Sequence, residues 1–263
     1  MIGRELLHLY GPLSINTYGT CIALSLLLFL WLINIHPLRK RLYTHVDLLQ
    51  TTAVGIACGI IGGRLLFVLS NSESITSAYD IINPCVGGYS ILGAIIGILT
   101  CLPWYLHMQH IAVVPFFDLI AIHAPLLQAL SRVGCFFAGC CYGKPTDAAW
   151  GFVYRTTNSF APCNISLHPT QLYSSIFLFI IFCFMYFFSQ HVYKKPGQLI
   201  SLYLLLISAE RFVVDIWRDD QEFFINSAYL SLSINQWISI GIACIAISGF
   251  IYCSIFNQKN RTV

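Results

Sequence analysis

The sequence predicts an all-α polytopic membrane protein of about seven transmembrane helices, with its N-terminus outside and its C-terminus cytoplasmic. Three observations predict it. Of 263 residues, 57% are hydrophobic and only 10% charged, against roughly 25% charged in an ordinary soluble domain, which excludes a soluble enzyme. The apolar residues fall into runs of about 20, the length that a helix rising about 1.5 Å per residue needs to cross about 30 Å of hydrocarbon. The lysines and arginines between the runs gather on alternate connections, and basic loops stay cytoplasmic.

The spans fall near 15–36, 46–70, 85–107, 111–130, 169–190, 197–217 and 234–256. The first lacks a small-residue cleavage site and exits into Arg39, Lys40 and Arg41, so it reads as a retained helix and not as a removable leader. The second carries Gly55, Gly59 and Gly63 at every fourth position, the spacing that lets helix backbones approach. Gly87, Gly88, Gly93 and Gly97 at the start of the third serve the same purpose or admit a ligand close to the backbone. The fourth contains Pro115, Asp118, His123 and Pro125 and is the span most open to a break, which protein neighbours tolerate. Lys194 and Lys195 follow the fifth span, and Lys259 and Arg261 follow the seventh. The opposite connections, 71–84 and 218–233, hold Glu73, Asp80, Asp219, Asp220 and Glu222, with Arg218 as their one base. No internal repeat is evident, so residues 1–263 form one transmembrane domain.

The outward segment 131–168 is the longest connection, and function concentrates on long loops held by a rigid scaffold. Three arginines stand at related depths around it. Arg64 in the second span, Arg132 at the end of the fourth and Arg211 in the sixth all reach the outer half of the bilayer. A guanidinium at that depth seeks a partner or a polar cavity, or snorkels to the headgroups. Three on one leaflet point to an anionic headgroup, because the planar fork matches phosphate. Arg211, Asp215 and Arg218 share a helix face, either as a buried ladder or with Asp215 holding Arg211 against the ligand. Cys135, Cys140, Cys141 and Cys163 lie in the outward segment as a disulfide or as packing thiols; their spacing matches no zinc or haem motif, so no metal is expected. His168, before a proline, is a cap, a hydrogen-bonded loop residue or a base.

In order, the chain shows Tyr18-Gly19, Gly62-Gly63-Arg64, GGYSILGAIIG at 87–97, Asp118 fourteen residues before Arg132, RVGCFFAGCCYG at 132–143, HPTQLY at 168–173 and RFVVDIWR at 211–218. This series resembles the bacterial prolipoprotein diacylglyceryl transferases. The resemblance implies transfer of the diacylglyceryl group of phosphatidylglycerol to the lipobox cysteine thiol of a preprolipoprotein. It places the reaction at the outer leaflet of the bacterial cytoplasmic (inner) membrane, with no metal or organic cofactor. The partners are membrane lipids and preprolipoprotein signal peptides, and no nucleic acid. Arg132 and Arg211 would hold the lipid phosphate, Gly93 and Gly134 would shape the backbone around it, and Tyr18 would line the cavity; Arg64 and Arg218 belong with the substrate-binding set. The chain departs from the family pattern at five positions. Leu92 stands where a histidine is usual, and Ser131, Cys135, Ala138 and Cys140 replace a glycine, two asparagines and a glutamate of the signature. His168 or Tyr173 would then take the thiol proton, or none is needed, since a thiol is already partly ionised. A non-catalytic lipid-binding or thiol-redox membrane protein on the same scaffold is the other reading.

Overall fold

Where water is absent, each backbone N–H and C=O must find its partner within its own segment, and the apolar runs accordingly fold as helices. The computed structural model describes residues 5–10, 13–71, 88–155, 159–189, 191, 195–219 and 232–256. Its helices are α1 (Thr17–Ile35), α2 (Arg39–Leu42), α3 (His45–Ser70), α4 (Ile91–Met108), α5 (Val113–Ala138), α6 (Thr170–Phe184), α7 (Gln198–Asp215) and α8 (Ile234–Phe256); a π-helical turn, Met185–Ser189, continues α6. Among the described residues, six of these, all but α2 and α7, are long and apolar enough to cross a membrane. Helix α7 equals α4 in length at 18 residues but carries Glu210, Arg211 and Asp215, and it packs against both α6 and α8. Large apolar side chains such as Leu24, Leu27 and Trp31 on α1 are exposed, as they are where hydrocarbon is the solvent. The chain is a multi-pass membrane protein. The acids Glu73, Asp80, Asp220 and Glu222, the bases Lys194, Lys259 and Arg261, and Cys85 and Gly87 lie outside the described residues.

The chain divides into two compact units, His36–Phe116 and Met1–Ile35 with Phe117–Val263. In the first unit, Thr44 and Asp47 close a capping box on the start of α3, satisfying two of its otherwise orphaned amides. Helices α3 and α4 meet backbone to backbone. A Cβ on Gly62 would stand 2.5 Å from the carbonyl oxygen of Gly93, and one on Gly97 would stand 2.5 Å from that of Cys58. The close approach is therefore shifted from the predicted glycine series: Gly59 and Gly63 border it, and Gly55 has nothing within 4 Å.

In the second unit, a hairpin of β1 (Glu5–Tyr10) and β2 (Leu13–Asn16) precedes α1, an element the apolar runs did not predict. Helix α5 is the most buried, with 56% of its apolar window enclosed against 11% for α8. It is unbroken and extends eight residues past its predicted end. Pro115 sits in the first turn, where the missing N–H has no intrahelical partner to lose, and Pro125 lies within the buried stretch 121–126.

Candidate active site

Because α5 continues to Ala138, the first eight residues of the predicted loop are helical, and Arg132 projects from a helix. A Cβ on Gly134 would stand 2.9 Å from Cβ of Cys21 and 3.4 Å from the Tyr18 ring, so this glycine admits α1 at close range. The chain then reverses through two left-handed residues, Gly139 at φ 72° and Cys141 at φ 58°. The reversal folds Cys140 and Cys141 back toward Cys135, and the Cys140 amide donates to the Cys135 carbonyl at 3.2 Å. Their three sulfurs lie within 4.8 Å of one another. All the cysteines among the described residues are thiols.

The first turn of α6 clamps this reversal. Thr170 Oγ1 donates to the Cys141 carbonyl at 2.8 Å, and Gln171 Nε2 donates to the Cys140 carbonyl at 2.7 Å. Beyond it, the amides of Gly143 and His168 donate to the carbonyls of His168 and Lys144, both at 3.0 Å, and the Lys144 amide donates to the Trp217 carbonyl at 2.8 Å. Gly143 has no room for a side chain, since a Cβ would stand 2.7 Å from His168 and Thr170. Two short strands, β3 (Phe152–Val153) and β4 (Ser166–Leu167), pair antiparallel, over a small core of Tyr154, Ala161 and Leu167. The segment is thus a folded lobe seated on the ends of α5, α6 and α7.

His168 Nδ1 and the Tyr173 hydroxyl are 3.1 Å apart, and Trp150 Nε1 donates to the same hydroxyl at 2.9 Å. With one lone pair taken by Trp150, the hydroxyl either donates to Nδ1, leaving the imidazole proton on Nε2, or accepts from Nδ1, leaving Nε2 as a base. The Trp217 ring meets Tyr173 edge-on at 6.0 Å.

The arginines converge from three places in the chain. The charges of Arg218 and Arg132 both bear on Arg211, as do those of Asp215 and Glu210. The acids are fixed: Ser174 Oγ donates to Glu210, and Ser233 Oγ and Asn235 Nδ2 donate to Asp215. Asp215 therefore ties α7 to the start of α8, and its charge acts on Arg211. Tyr18 is 37% exposed, within electrostatic reach of Arg132 and the three cysteines. In the other unit, Arg64 Nη1 donates to the Gly88 carbonyl at 3.1 Å and lies over the rings of Phe67 and Tyr89. Gly93 is part of the α3–α4 contact, and Leu92 is 61% exposed.

Sequence reasoning passed over Thr170, Gln171, Trp150 and Tyr154. The first two stand inside HPTQLY, where two polar residues at the mouth of an apolar span were a usable signal. Tyr154 Oη donates to the Phe136 carbonyl at 3.1 Å, and burial pushes its phenol up to about 12. Among the loop thiols, Cys141 is the one whose ionisation is favoured. The thiols of Cys135 and Cys140 bond its sulfur, with the guanidiniums of Arg218 and Arg132 beyond. Hydrogen bonding to the other two sulfurs and burial keep Cys140 protonated.

The family profile described as prolipoprotein diacylglyceryl transferase matches residues 4–252. The phosphatidylglycerol–prolipoprotein diacylglyceryl transferase of Clostridium tetani is 36% identical over 245 residues, covering 93% of this chain and 95% of its own. A second enzyme of that name from Clostridium perfringens is 31% identical, covering 95% and 94%. One from Dehalococcoides mccartyi is 30% identical, covering 92% and 90%.

Proposed function

The chain belongs to the prolipoprotein diacylglyceryl transferase family, and from that premise we propose how its residues transfer the diacylglyceryl group of phosphatidylglycerol to the cysteine thiol of a preprolipoprotein. The observation that carries the reading is the convergence of Arg132 and Arg218 on Arg211, whose charge both act on, with Arg132 and Arg211 half-buried and Arg218 buried. Glu210 and Asp215 offset part of the repulsion among the three guanidiniums, and a further anion would offset the rest. A lipid phosphate is such an anion, and guanidinium binds it bidentately. The apolar groove of about 220 Å³ between α7 and α8, lined by Leu205, Phe212 and Ala243 among others, offers an acyl chain a lodging on the helix that carries Arg211.

The acceptor is the lipobox cysteine of a signal peptide. Its thiolate attacks the glyceryl carbon that bears the phosphate; the C–S bond forms, the C–O bond breaks, and the electron pair leaves on glycerol phosphate. Arg132 and Arg211 stabilise the charge that grows on the departing phosphate, an interaction strongest in the transition state. His168 Nε2 takes the thiol proton when Tyr173 accepts from Nδ1. Tyr18 and Gly134 border the arginine site. The site faces the outer leaflet of the bacterial cytoplasmic membrane. Supporting this, α5 and α7 run in the same direction, and Lys195 at the start of α7 donates to the Ser254 carbonyl near the end of α8, placing a basic connection at the end opposite the arginines.

The test is purified protein with labelled phosphatidylglycerol and a lipobox peptide. A thioether-linked diacylglycerol on the peptide is expected. An unmodified peptide where the Clostridium tetani enzyme succeeds would overturn the reading.

A further inference from the structure

We propose that Cys135, Cys140 and Cys141 form a three-thiolate site for a soft divalent cation, zinc, on the turn that ends α5. Their sulfurs lie within 4.8 Å of one another, and three thiolates on a tetrahedral zinc ion at about 2.3 Å stand about 3.8 Å apart. Closure on the ion therefore asks for the sulfurs to approach by about 1 Å or less. The backbone already supports convergence. Gly139 and Cys141 turn the chain back on the helix end, while Gln171 and Thr170 hold the carbonyls of Cys140 and Cys141. The spacing C-x4-C-C gives no linear zinc motif, because the site is made by a helix end and a left-handed reversal.

The donor set selects the ion. The cluster contains sulfur only, which suits zinc and other thiophilic ions and disfavours magnesium and calcium. Three thiolates and one zinc ion carry a net charge of −1, and the guanidiniums of Arg132 and Arg218 act on these sulfurs. The phenols of Tyr18 and Tyr154 also face the cluster. Three protein ligands leave a fourth position for water or an incoming thiol. Gln171 Oε1, on a residue 1% exposed, is buried without a hydrogen-bond partner among the described residues. It lies beside Cys140 through its own Nε2 and supplies an acceptor for a metal-bound water. A loaded site would fix the turn that ends α5 to Cys135, three residues after Arg132.

The experiment measures zinc by elemental mass spectrometry on the full chain, purified anaerobically in chelator-free detergent, then exchanges it for cadmium. One zinc per chain and a thiolate-to-cadmium absorption band are expected. Cys135→Ser, Cys140→Ser and Cys141→Ser should each weaken binding by about 10-fold or more, while Cys163→Ser leaves it unchanged. X-ray absorption on the wild-type protein needs no variant, and a sulfur shell near 2.3 Å is expected there. A nitrogen and oxygen shell, less than a tenth of an equivalent of zinc, or two of the three sulfurs found joined in the anaerobic protein would each overturn the proposal.

Discussion

Asp118 on α5 receives the amide of Gly197 at 2.6 Å on one carboxylate oxygen and the amide of Ile200 at 2.8 Å on the other. A side chain from one helix thus caps the buried start of another, α7, whose first amides have no partner of their own.

Asp118→Ala leaves both amides unsatisfied and should cost about 1–3 kcal/mol. Asp118→Asn keeps one acceptor and should cost less. Chemical unfolding in detergent measures the difference; equal losses for the two variants would deny the cap.

Replacing Arg132 or Arg211 with lysine keeps the charge but loses the planar fork. Each change should lower kcat/KM in the peptide assay by roughly 100-fold, in the range found for lost transition-state donors, with helicity unchanged. A loss in KM alone would make these arginines binding groups without a part in the chemistry.

Tyr173→Phe removes the hydroxyl shared by His168 and Trp150. If His168 acts as the base, this variant should shift the acid limb of the pH–rate profile, and His168→Gln should remove that limb. A profile unmoved in both variants means that the thiol is ionised without a dedicated base.

Tyr154 titrates at about 12 in the folded protein, against 10.0 for an ordinary tyrosine. A raised folded value favours the protonated form, so its stabilisation is full below about pH 10 and fades as the pH rises to about 12. Unfolding should ease across that window in the wild type, and less so in Tyr154→Phe. At neutral pH, Tyr154→Phe should cost about 0.5–1.5 kcal/mol, because the Phe136 carbonyl loses one of two donors and keeps the Gly139 amide.

Gly62→Ala would press its methyl onto the Gly93 carbonyl and should destabilise the α3–α4 pair by about 1–3 kcal/mol. Gly55→Ala meets open space and should be nearly neutral. Thermal unfolding of the two variants separates backbone contact from glycine spacing.

The helices were legible in the sequence because run length and charge are local properties of a chain in lipid, and the arginines were legible because charge in hydrocarbon demands a reason. The family followed from the order of its motifs. The end of α5 was not legible: Ser131 to Ala138 mix glycine and cysteine in the manner of a loop, and only the packing of Gly134 against α1 and of the reversal against α6 extends the helix. Gly63, Gly93 and Gly97 stand at the predicted close approach, but its centre on α3 is Gly62 and Gly55 lies outside it, for a related reason. Spacing identifies a close approach, but the partner backbone decides which glycine lies at its centre. The sulfur cluster was hidden because its geometry depends on two left-handed residues, one of them not glycine.

The uninterrupted rod from Asp118 to Arg132 makes the arginine's position a matter of counting. Fourteen residues at about 1.5 Å set it about 21 Å from the anchored end. Each residue inserted or deleted between them would swing the guanidinium about 100° around the axis, so the helix works as a ruler with an angular scale, and its length in residues sets where that charge stands.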